Sequence, residues 1–158
     1  MTYHYLTSLK KYKKDGDLIY NNPVATYTES LAAGSSIKGA TMYLGYNENL
    51  VKFNEIIMDE PIKIADTPIK KSLNNLGRVN DLTALAKSSN VYMFHIAMRL
   101  GGADYVYNGP LNINPSAFDT IRNTFSQFGL GTLTGIDVPN ETIGYIGSST
   151  LGGHLLDF

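Results

Sequence analysis

The sequence predicts a helix-rich globular domain with long connections and only short strands. Of its 158 residues, 43% are hydrophobic and 17% are charged, a balance typical of a chain with a packed core. Several segments carry apolar residues at helical spacing between residues that start or stop helices. Residues 50–79 alternate only weakly in polarity and contain two prolines, so any strand there should be short or lie at a sheet edge.

The first predicted helix begins at Ser35 or Ser36, directly after Gly34, and ends near Gly45 and Asn47. Its apolar side is imperfect. Before this helix, the short apolar stretches of residues 17–30 are broken by Asn-Asn-Pro, so we expect a loop there.

Three further helices are predicted downstream. Asn80 caps the segment "DLTALAK", and Gly101-Gly102 stops the segment "VYMFHIAMRL". Asn114-Pro115 opens the last helix, with asparagine at the cap and proline in the first turn, and Gly129 ends it. The residues expected to be buried at helical spacing are Val91, Phe94, Ala97 and Met98 in one helix, and Phe118, Ile121, Phe125 and Phe128 in the other.

Composition argues against several classes of function. The formal net charge of −1 gives no electrostatic basis for binding nucleic acid or anionic lipid. The chain has no cysteine, and its three histidines are not spaced as a metal-binding pair, so we expect neither a metal site nor a cofactor. No run of eighteen apolar residues occurs, so no transmembrane helix is predicted.

Ser35 and Lys38 are candidates for a nucleophile and its base. Residues three apart share a helix face, so the lysine amine can reach the serine hydroxyl. The helix N-terminus and partial burial both disfavour an ammonium, and a neutral amine could accept the serine proton. The alternative is that Ser35 only caps the helix, since the same spacing occurs at Ser8 and Lys11 in a polar stretch.

Ser88 and Asn90 form the second candidate. A serine hydroxyl facing the nucleophile can relay a proton, and an asparagine amide can hold a substrate amide. The alternative is a chain break in which Ser or Asn caps the next helix. The same spacing recurs at Ser72 and Asn74, in what we interpret as a polar loop.

Three segments, taken in order, resemble one family: "GSSIKGATMYLGY", "ALAKSSNVYMFHIAMRLGG" and "FSQFGLGTLTGIDVPNE". They are similar to successive parts of the transpeptidase domain of penicillin-binding proteins, above all of the class B, high-molecular-weight, Gram-positive kind. The resemblance runs from about Asn22 to the last residue. We therefore expect a poorly matched segment at 1–21 and a partial transpeptidase domain at 22–158, truncated before the strand that carries the family's Lys-Thr-Gly motif.

The resemblance implies an α+β fold, shared with serine β-lactamases, of which this chain holds mostly the helical part and lacks most sheet strands. It implies that Ser35 is the acylated serine, that Lys38 is its base, that Ser88 passes protons and that Asn90 binds the substrate amide. The implied reaction crosslinks peptidoglycan stem peptides ending in D-Ala-D-Ala, and β-lactams would acylate the same serine. No cofactor or metal is implied. The implied location is the extracytoplasmic face of the cell membrane, reached through an anchor absent from this chain.

Three departures from the family pattern bear on activity. Ala32-Ala33-Gly34 replaces the usual Glu-Pro-Gly before the nucleophile. The Lys-Thr-Gly or Lys-Ser-Gly motif is missing, and the "LTG" at residues 133–135 lacks its lysine. The first seventeen residues do not look like the family's usual opening strand. With the abrupt apolar end "GSSTLGGHLLDF", these features lead us to expect a fragment that is inactive alone.

Two other functions are compatible with the sequence. A serine β-lactamase-like hydrolase shares the Ser-x-x-Lys start but needs a group that activates water, and no glutamate stands out for that role. A β-lactam sensor domain would be acylated without crosslinking anything. His95 follows Asn90 by five residues, and we interpret it as a structural histidine, because Lys38 already supplies a base.

Overall fold

The computed structural model describes residues 12–14, 17–19, 33–135, 137, 141, 143, 144 and 146. Contacts divide them into two compact units. One contains the described residues before 33 and those from 129 to 144. The other contains residues 33–128 and residue 146, and it holds every candidate site residue named above.

The smaller unit contains a two-stranded antiparallel sheet. Strand β1 (Tyr12–Lys14) pairs with strand β2 (Asp17–Ile19), and Lys14 lies opposite Asp17. The loop predicted for residues 17–30 is therefore wrong at residues 17–19, and a strand also lies within the first seventeen residues. Asp15-Gly16 separates the two strands in sequence, and this dipeptide is typical of two-residue hairpin connections.

The larger unit is mainly helical. Its first helix starts as a 3-10 turn, Gly34–Ile37, and continues as helix α1, Lys38–Asn47. Helix α2 (Asp81–Ala86) begins at Asn80, whose side chain accepts from the backbone of Thr83, and the Thr83 hydroxyl accepts from Asn80 N in return. This reciprocal capping confirms the predicted helix start at Asn80.

Helix α3 (Asn90–Leu100) forms the centre of the larger unit. The four positions predicted to be buried on it are all buried. Tyr92, Met93 and Ile96 are buried as well, so the helix is enclosed on most of its circumference. Two apolar clusters share this helix: one includes Val91 and Phe94, and the other includes Tyr92, Met93 and Ile96. A helix packed this closely on several sides provides a rigid base for the turn that precedes it.

Helix α4 (Ser116–Gln127) begins one residue later than predicted. Pro115, not Asn114, occupies the N-cap position, and Asn114 Oδ1 accepts from Ser116 N at 3.1 Å from one residue further back. Phe125 is buried, whereas Phe118 and Ile121 are partly buried against the core. The predicted burial of Phe128 is wrong: Phe128 follows the helix, is 52% exposed and contacts Tyr43 edge to face.

Residues 50–79 form short extended segments, as predicted. Strand β3 (Ile57–Asp59) pairs antiparallel with strand β4 (Gly77–Val79), and two isolated bridges join Ile62 to Lys70 and Ile64 to Gly109. Helices with short antiparallel strands agree with the α+β class. Some expectations lie outside the described residues: the pair Ser8 and Lys11, the loop over residues 20–30, and the apolar C-terminal end. Every helix within the described part of the chain is too short or too polar to cross a bilayer.

Candidate active site

Ser35 lies on the surface, in the 3-10 turn that leads into α1. Gly34 precedes it with φ of +56°, a left-handed conformation that suits glycine. The Ser35 side chain makes no capping hydrogen bond at the start of this turn or of α1. Its Oγ instead accepts a hydrogen bond from Ser88 Oγ at 3.0 Å. The arrangement does not support helix capping as the role of Ser35, and it leaves its hydroxyl group accessible to a ligand.

Lys38 is the first residue of α1, and it is only 4% exposed. Its Nζ donates to the carbonyl oxygen of Ser88 at 2.7 Å and to Ser88 Oγ at 2.8 Å. Burial lowers the pKa of Lys38, and the negative charge of Asp59 partly offsets this by raising it. Lys38 is therefore a lysine whose neutral form is more accessible than in water, which is the property a general base requires.

Ser88 connects the other two residues. Its backbone φ is +58°, which is uncommon for a residue with a Cβ atom. In this conformation both its carbonyl oxygen and its hydroxyl group bond to Lys38, while the hydroxyl donates to Ser35. The result is a continuous chain of hydrogen bonds from Lys38 Nζ through Ser88 Oγ to Ser35 Oγ.

Lys38 was predicted to lie within reach of the Ser35 hydroxyl, and in the structure its hydrogen bonds go to Ser88 instead. Lys38 and Ser35 are neighbours along the helix axis, but the buried lysine amine extends to the two oxygen atoms of Ser88. These acceptors satisfy donors that would otherwise be buried without partners. The spacing of Ser35 and Lys38 did not indicate that Ser88 would be the hydrogen-bond partner of the amine.

Ser89 is the residue that caps α3, so the capping alternative considered for the Ser88–Asn90 segment holds for its middle residue. Ser89 Oγ accepts from Tyr92 N at 3.0 Å. Asn90 Nδ2 donates to the carbonyl oxygen of Lys71 at 3.1 Å, and Asn90 has no hydrogen bond to Ser35, Lys38 or Ser88 in the described part of the chain. The structure thus joins Ser35, Lys38 and Ser88 directly, with Asn90 two residues further along the same segment.

Asp59 lies beneath this segment and was missed by sequence reasoning. It is buried at the end of β3, and its Oδ2 accepts from Ser72 Oγ at 2.7 Å and from Ser89 Oγ. Ser72 Oγ in turn accepts from Asn90 N at 2.9 Å. One signal was available in the sequence: Asp59 is two residues from buried Ile57, in phase with the inward face of the strand. Ser72 is buried, so the polar loop predicted around it is not fully solvated.

His95 is half-buried on α3. Burial lowers its pKa, the nearby Arg99 lowers it further, and Glu55 acts in the opposite direction. No contact joins His95 to the candidate site residues among those described. Within the described positions, the His, Asp and Glu side chains form no group of three that could hold a metal ion.

The chemistry available here is activation of an accessible hydroxyl group by a proton relay. Each serine hydroxyl can donate one hydrogen bond and accept others, so reversing the hydroxyl orientations would carry a proton from Ser35 to Lys38 through Ser88. A serine deprotonated in this way is a nucleophile for an acyl carbon. The same relay, run backwards, can protonate a leaving group.

Comparison with known proteins gives consistent results. The family model described as the penicillin binding protein transpeptidase domain matches residues 5–158, so the match begins well before residue 22. Penicillin-binding protein 2A of Bacillus subtilis (strain 168) is 52% identical over 132 residues, covering 83% of this chain and 18% of that protein. Penicillin-binding protein H of the same strain is 40% identical over 149 residues, covering 94% of this chain and 21% of that protein.

Solved structures are similar in fold as well. Penicillin-binding protein 2B from Streptococcus pneumoniae (strain R6) superposes with a TM-score of 0.70 and 30% sequence identity, covering 85% of this chain and 22% of that one. The same protein from strain 5204 gives a TM-score of 0.68. The chain spans about a fifth of the length of these relatives.

Proposed function

Because the chain belongs to the penicillin-binding protein transpeptidase family, we propose that the whole protein is a serine D,D-transpeptidase that crosslinks peptidoglycan stem peptides. The observation that carries this proposal is the continuous hydrogen-bond chain from buried Lys38 through Ser88 to exposed Ser35. It supplies a base, a relay and an accessible nucleophile in one unit.

In the proposed reaction, Ser35 Oγ attacks the carbonyl carbon of the penultimate D-Ala of a D-Ala-D-Ala end. The Ser35 proton moves to Ser88 Oγ, and the Ser88 proton moves to the neutral amine of Lys38. The peptide C–N bond then breaks, and the departing nitrogen of the terminal D-Ala receives a proton back from Lys38 through Ser88. An amine of a second stem peptide then attacks the acyl carbon, and the bond from this carbon to Ser35 Oγ breaks. The proton lost by the amine passes through Lys38 and Ser88 to Ser35 Oγ, which completes the crosslink and restores the Ser35 hydroxyl.

Asn90 is proposed to bind the peptide amide of the substrate. One hydrogen of its Nδ2 is used by the Lys71 carbonyl oxygen, which leaves the second hydrogen and Oδ1 for a ligand. Because Asn90 begins α3, the most buried helix of the unit, its backbone is firmly placed relative to Ser88. The family's name points to β-lactams as second ligands, and we propose that they acylate Ser35 in place of the natural substrate.

We also propose that the protein acts at the extracytoplasmic face of the cell membrane, where the peptidoglycan substrate is found. The 158 residues alone are proposed to be inactive. The Lys-Thr-Gly motif, expected to supply a backbone donor to the oxyanion, does not occur in them. Removing one oxyanion donor typically costs on the order of 100-fold or more in rate.

Two neighbouring serines offer a matched test of the nucleophile. Ser35 and Ser36 are both exposed in the same 3-10 turn, but Ser36 Oγ bonds to the Ala33 carbonyl oxygen and takes no part in the relay. In the whole protein, we expect Ser35→Ala to abolish covalent labelling by fluorescent penicillin and Ser36→Ala to retain it. Mass spectrometry of the labelled peptide should place the adduct on Ser35. Labelling that survives in Ser35→Ala would overturn the assignment.

The fate of the acyl-serine separates the transpeptidase from a hydrolase. A transpeptidase should hold the penicilloyl group for many minutes and turn over nitrocefin very slowly, because no group among those described activates water beside Ser35. Rapid nitrocefin turnover by the whole protein would contradict the proposal and indicate a β-lactamase-like hydrolase.

A further inference from the structure

Asp59 occupies an unusual position below the site. It is 4% exposed, and no lysine or arginine forms an ion pair with it among the described residues. A buried carboxylate is strongly destabilising unless hydrogen bonds compensate the lost hydration. Here two serine hydroxyls do so, because Ser72 Oγ and Ser89 Oγ both donate to Asp59 Oδ2.

The direction of these bonds follows from the groups involved. An ionised carboxylate can only accept, and a backbone N–H can only donate. Each serine therefore gives its single proton to Asp59 and accepts from the backbone on its other side. Ser72 accepts from Asn90 N at 2.9 Å, and Ser89 accepts from Tyr92 N at 3.0 Å. One carboxylate oxygen thus fixes two hydroxyl groups, and these fix the first turn of α3.

The segment held in this way includes the left-handed residue Ser88. Ser88 precedes Ser89, which is fully buried, and the left-handed conformation costs roughly 1–2 kcal/mol that surrounding contacts must offset. On one side Lys38 holds the Ser88 carbonyl oxygen, and on the other Ser89 is tied to Asp59. With both of these bonds in place, the Ser88 hydroxyl bridges Lys38 and Ser35.

We propose that Asp59, acting through Ser72 and Ser89, is a positioning residue that holds the Ser88–Asn90 segment in the geometry required by the proton relay. Its effect on rate rests on the proposed transpeptidase function, whereas its effect on the geometry does not. The charge of Asp59 has a second consequence, since it is the charged group that opposes the effect of burial on the pKa of Lys38.

The substitution Asp59→Asn tests both effects in the whole protein. The neutral amide is nearly the same size, but it cannot hold two donors on one oxygen as strongly. We expect hydrogen–deuterium exchange at the Asn90 and Tyr92 amides to become roughly fivefold faster or more. We expect penicillin acylation at its plateau to fall on the order of tenfold to a hundredfold, because the relay is misplaced.

The pH profile distinguishes positioning from a loss of folded protein. Lys38 acts as a base when neutral, and removal of the Asp59 charge should lower the pKa of Lys38, so the acid limb of the acylation profile should move to lower pH. A variant that is merely less folded would show less acylation at every pH, and the acid limb of its profile would stay at the wild-type position. Asp66→Asn is the matched control, because Asp66 is exposed and bonds to none of these residues, and it should behave as wild type.

Ser72→Ala provides a second variant in case Asp59→Asn fails to fold. It removes the acceptor for Asn90 N while keeping the Asp59 charge, so exchange at Asn90 should accelerate with the acid limb unchanged. Wild-type exchange at the Asn90 amide in Ser72→Ala, or at both amides in folded Asp59→Asn, would overturn the proposal. If amide exchange is faster in the variants but the wild-type protein is not acylated at Ser35, the positioning role is sustained and the proposed function is refuted.

Discussion

Ser88 combines a left-handed backbone with the central place in the relay. Its hydroxyl group joins Lys38 to Ser35, and no direct bond between those two residues replaces it. Its φ of +58° would be accommodated more easily by glycine. The residue that best suits this backbone therefore cannot perform the proposed chemistry, so stability and activity conflict at one position.

This conflict predicts different outcomes for two substitutions that both remove the hydroxyl. Ser88→Ala and Ser88→Gly should each lower the rate of penicillin acylation by about 100- to 10,000-fold, because Lys38 loses its relay. Ser88→Gly should be more stable than Ser88→Ala by about 0.5–1 kcal/mol, since only glycine relieves the strain. Stopped-flow acylation and urea unfolding check the two parts.

Equal stability of the two variants would show that the backbone at this position is not strained. Acylation at the wild-type rate in either variant would remove Ser88 from the mechanism.

The sequence singled out Ser35 and Lys38 as candidates but did not indicate the hydrogen bonds that connect them through Ser88. Residue types and spacing placed Ser35 and Lys38 on one helix start, and flanking segments singled out Ser88 and Asn90. Spacing within one helix carries no information about a segment fifty positions away, so it could not show that Lys38 bonds to Ser88. Asp59 was missed because a single acidic residue in a short strand resembles a solvated one until its burial is known.

At the scale of the element, α1 packs closely on α3 through Gly45. A Cβ atom at this position would lie 2.9 Å from Ile96 Cδ1 and 3.0 Å from Val51 Cγ2. Ile96 is fully buried, so it has no free space into which to move. The same helix contains Gly39, which is exposed and where an added Cβ atom would meet nothing within 4 Å. The two glycines therefore serve different purposes on one helix.

We expect Gly45→Ala to destabilise the protein by about 1–3 kcal/mol through overpacking. Gly39→Ala should instead stabilise it by about 0.5–1 kcal/mol, because alanine is the better helix former where space allows. Thermal and urea unfolding of both variants measure the difference. A stabilising Gly45→Ala would mean that α1 and α3 can separate at little cost.

Helix boundaries were easier to predict from neighbouring residues than the burial of individual side chains. Asn80 caps its helix as its residue type suggested, and Asn114 accepts from the first residue of α4 although Pro115 holds the cap position. Phe128 kept the spacing of the α4 stripe in the sequence, yet it lies beyond the last helical turn, where the helical period no longer determines which way a side chain faces. Strand β2 was missed because it has only three residues, too few for an alternating pattern to be evident.

At the scale of the whole molecule, His95 links stability to pH. Burial lowers its pKa from the ordinary value of 6.5, so the folded state binds this proton less readily than the unfolded state. Above about pH 6.5 the residue is neutral in both states and has no effect. As the pH falls below this value, the unfolded state takes up the proton first, and stability is lost.

We therefore expect the free energy of unfolding to decrease as the pH falls below about 6.5, and His95→Gln to reduce this decrease. Glu55, whose pKa is lowered chiefly by its hydrogen bond to Arg99, acts in a separate window, because its contribution is lost only below its ordinary value of 4.5. Urea titrations at several pH values measure both. An unchanged slope in His95→Gln would assign the pH dependence to other groups.

The bond from Asn90 to the Lys71 carbonyl oxygen has a consequence for the proposed binding of a substrate amide by Asn90. An asparagine side chain free to rotate by half a turn could exchange its nitrogen and oxygen and so tolerate either polarity. Anchored to a carbonyl oxygen, it cannot rotate without setting two lone-pair-bearing oxygens against each other. The side-chain amide of Asn90 therefore has one fixed orientation. A ligand that bonds to both its Oδ1 and its Nδ2 must place a donor at the first atom and an acceptor at the second.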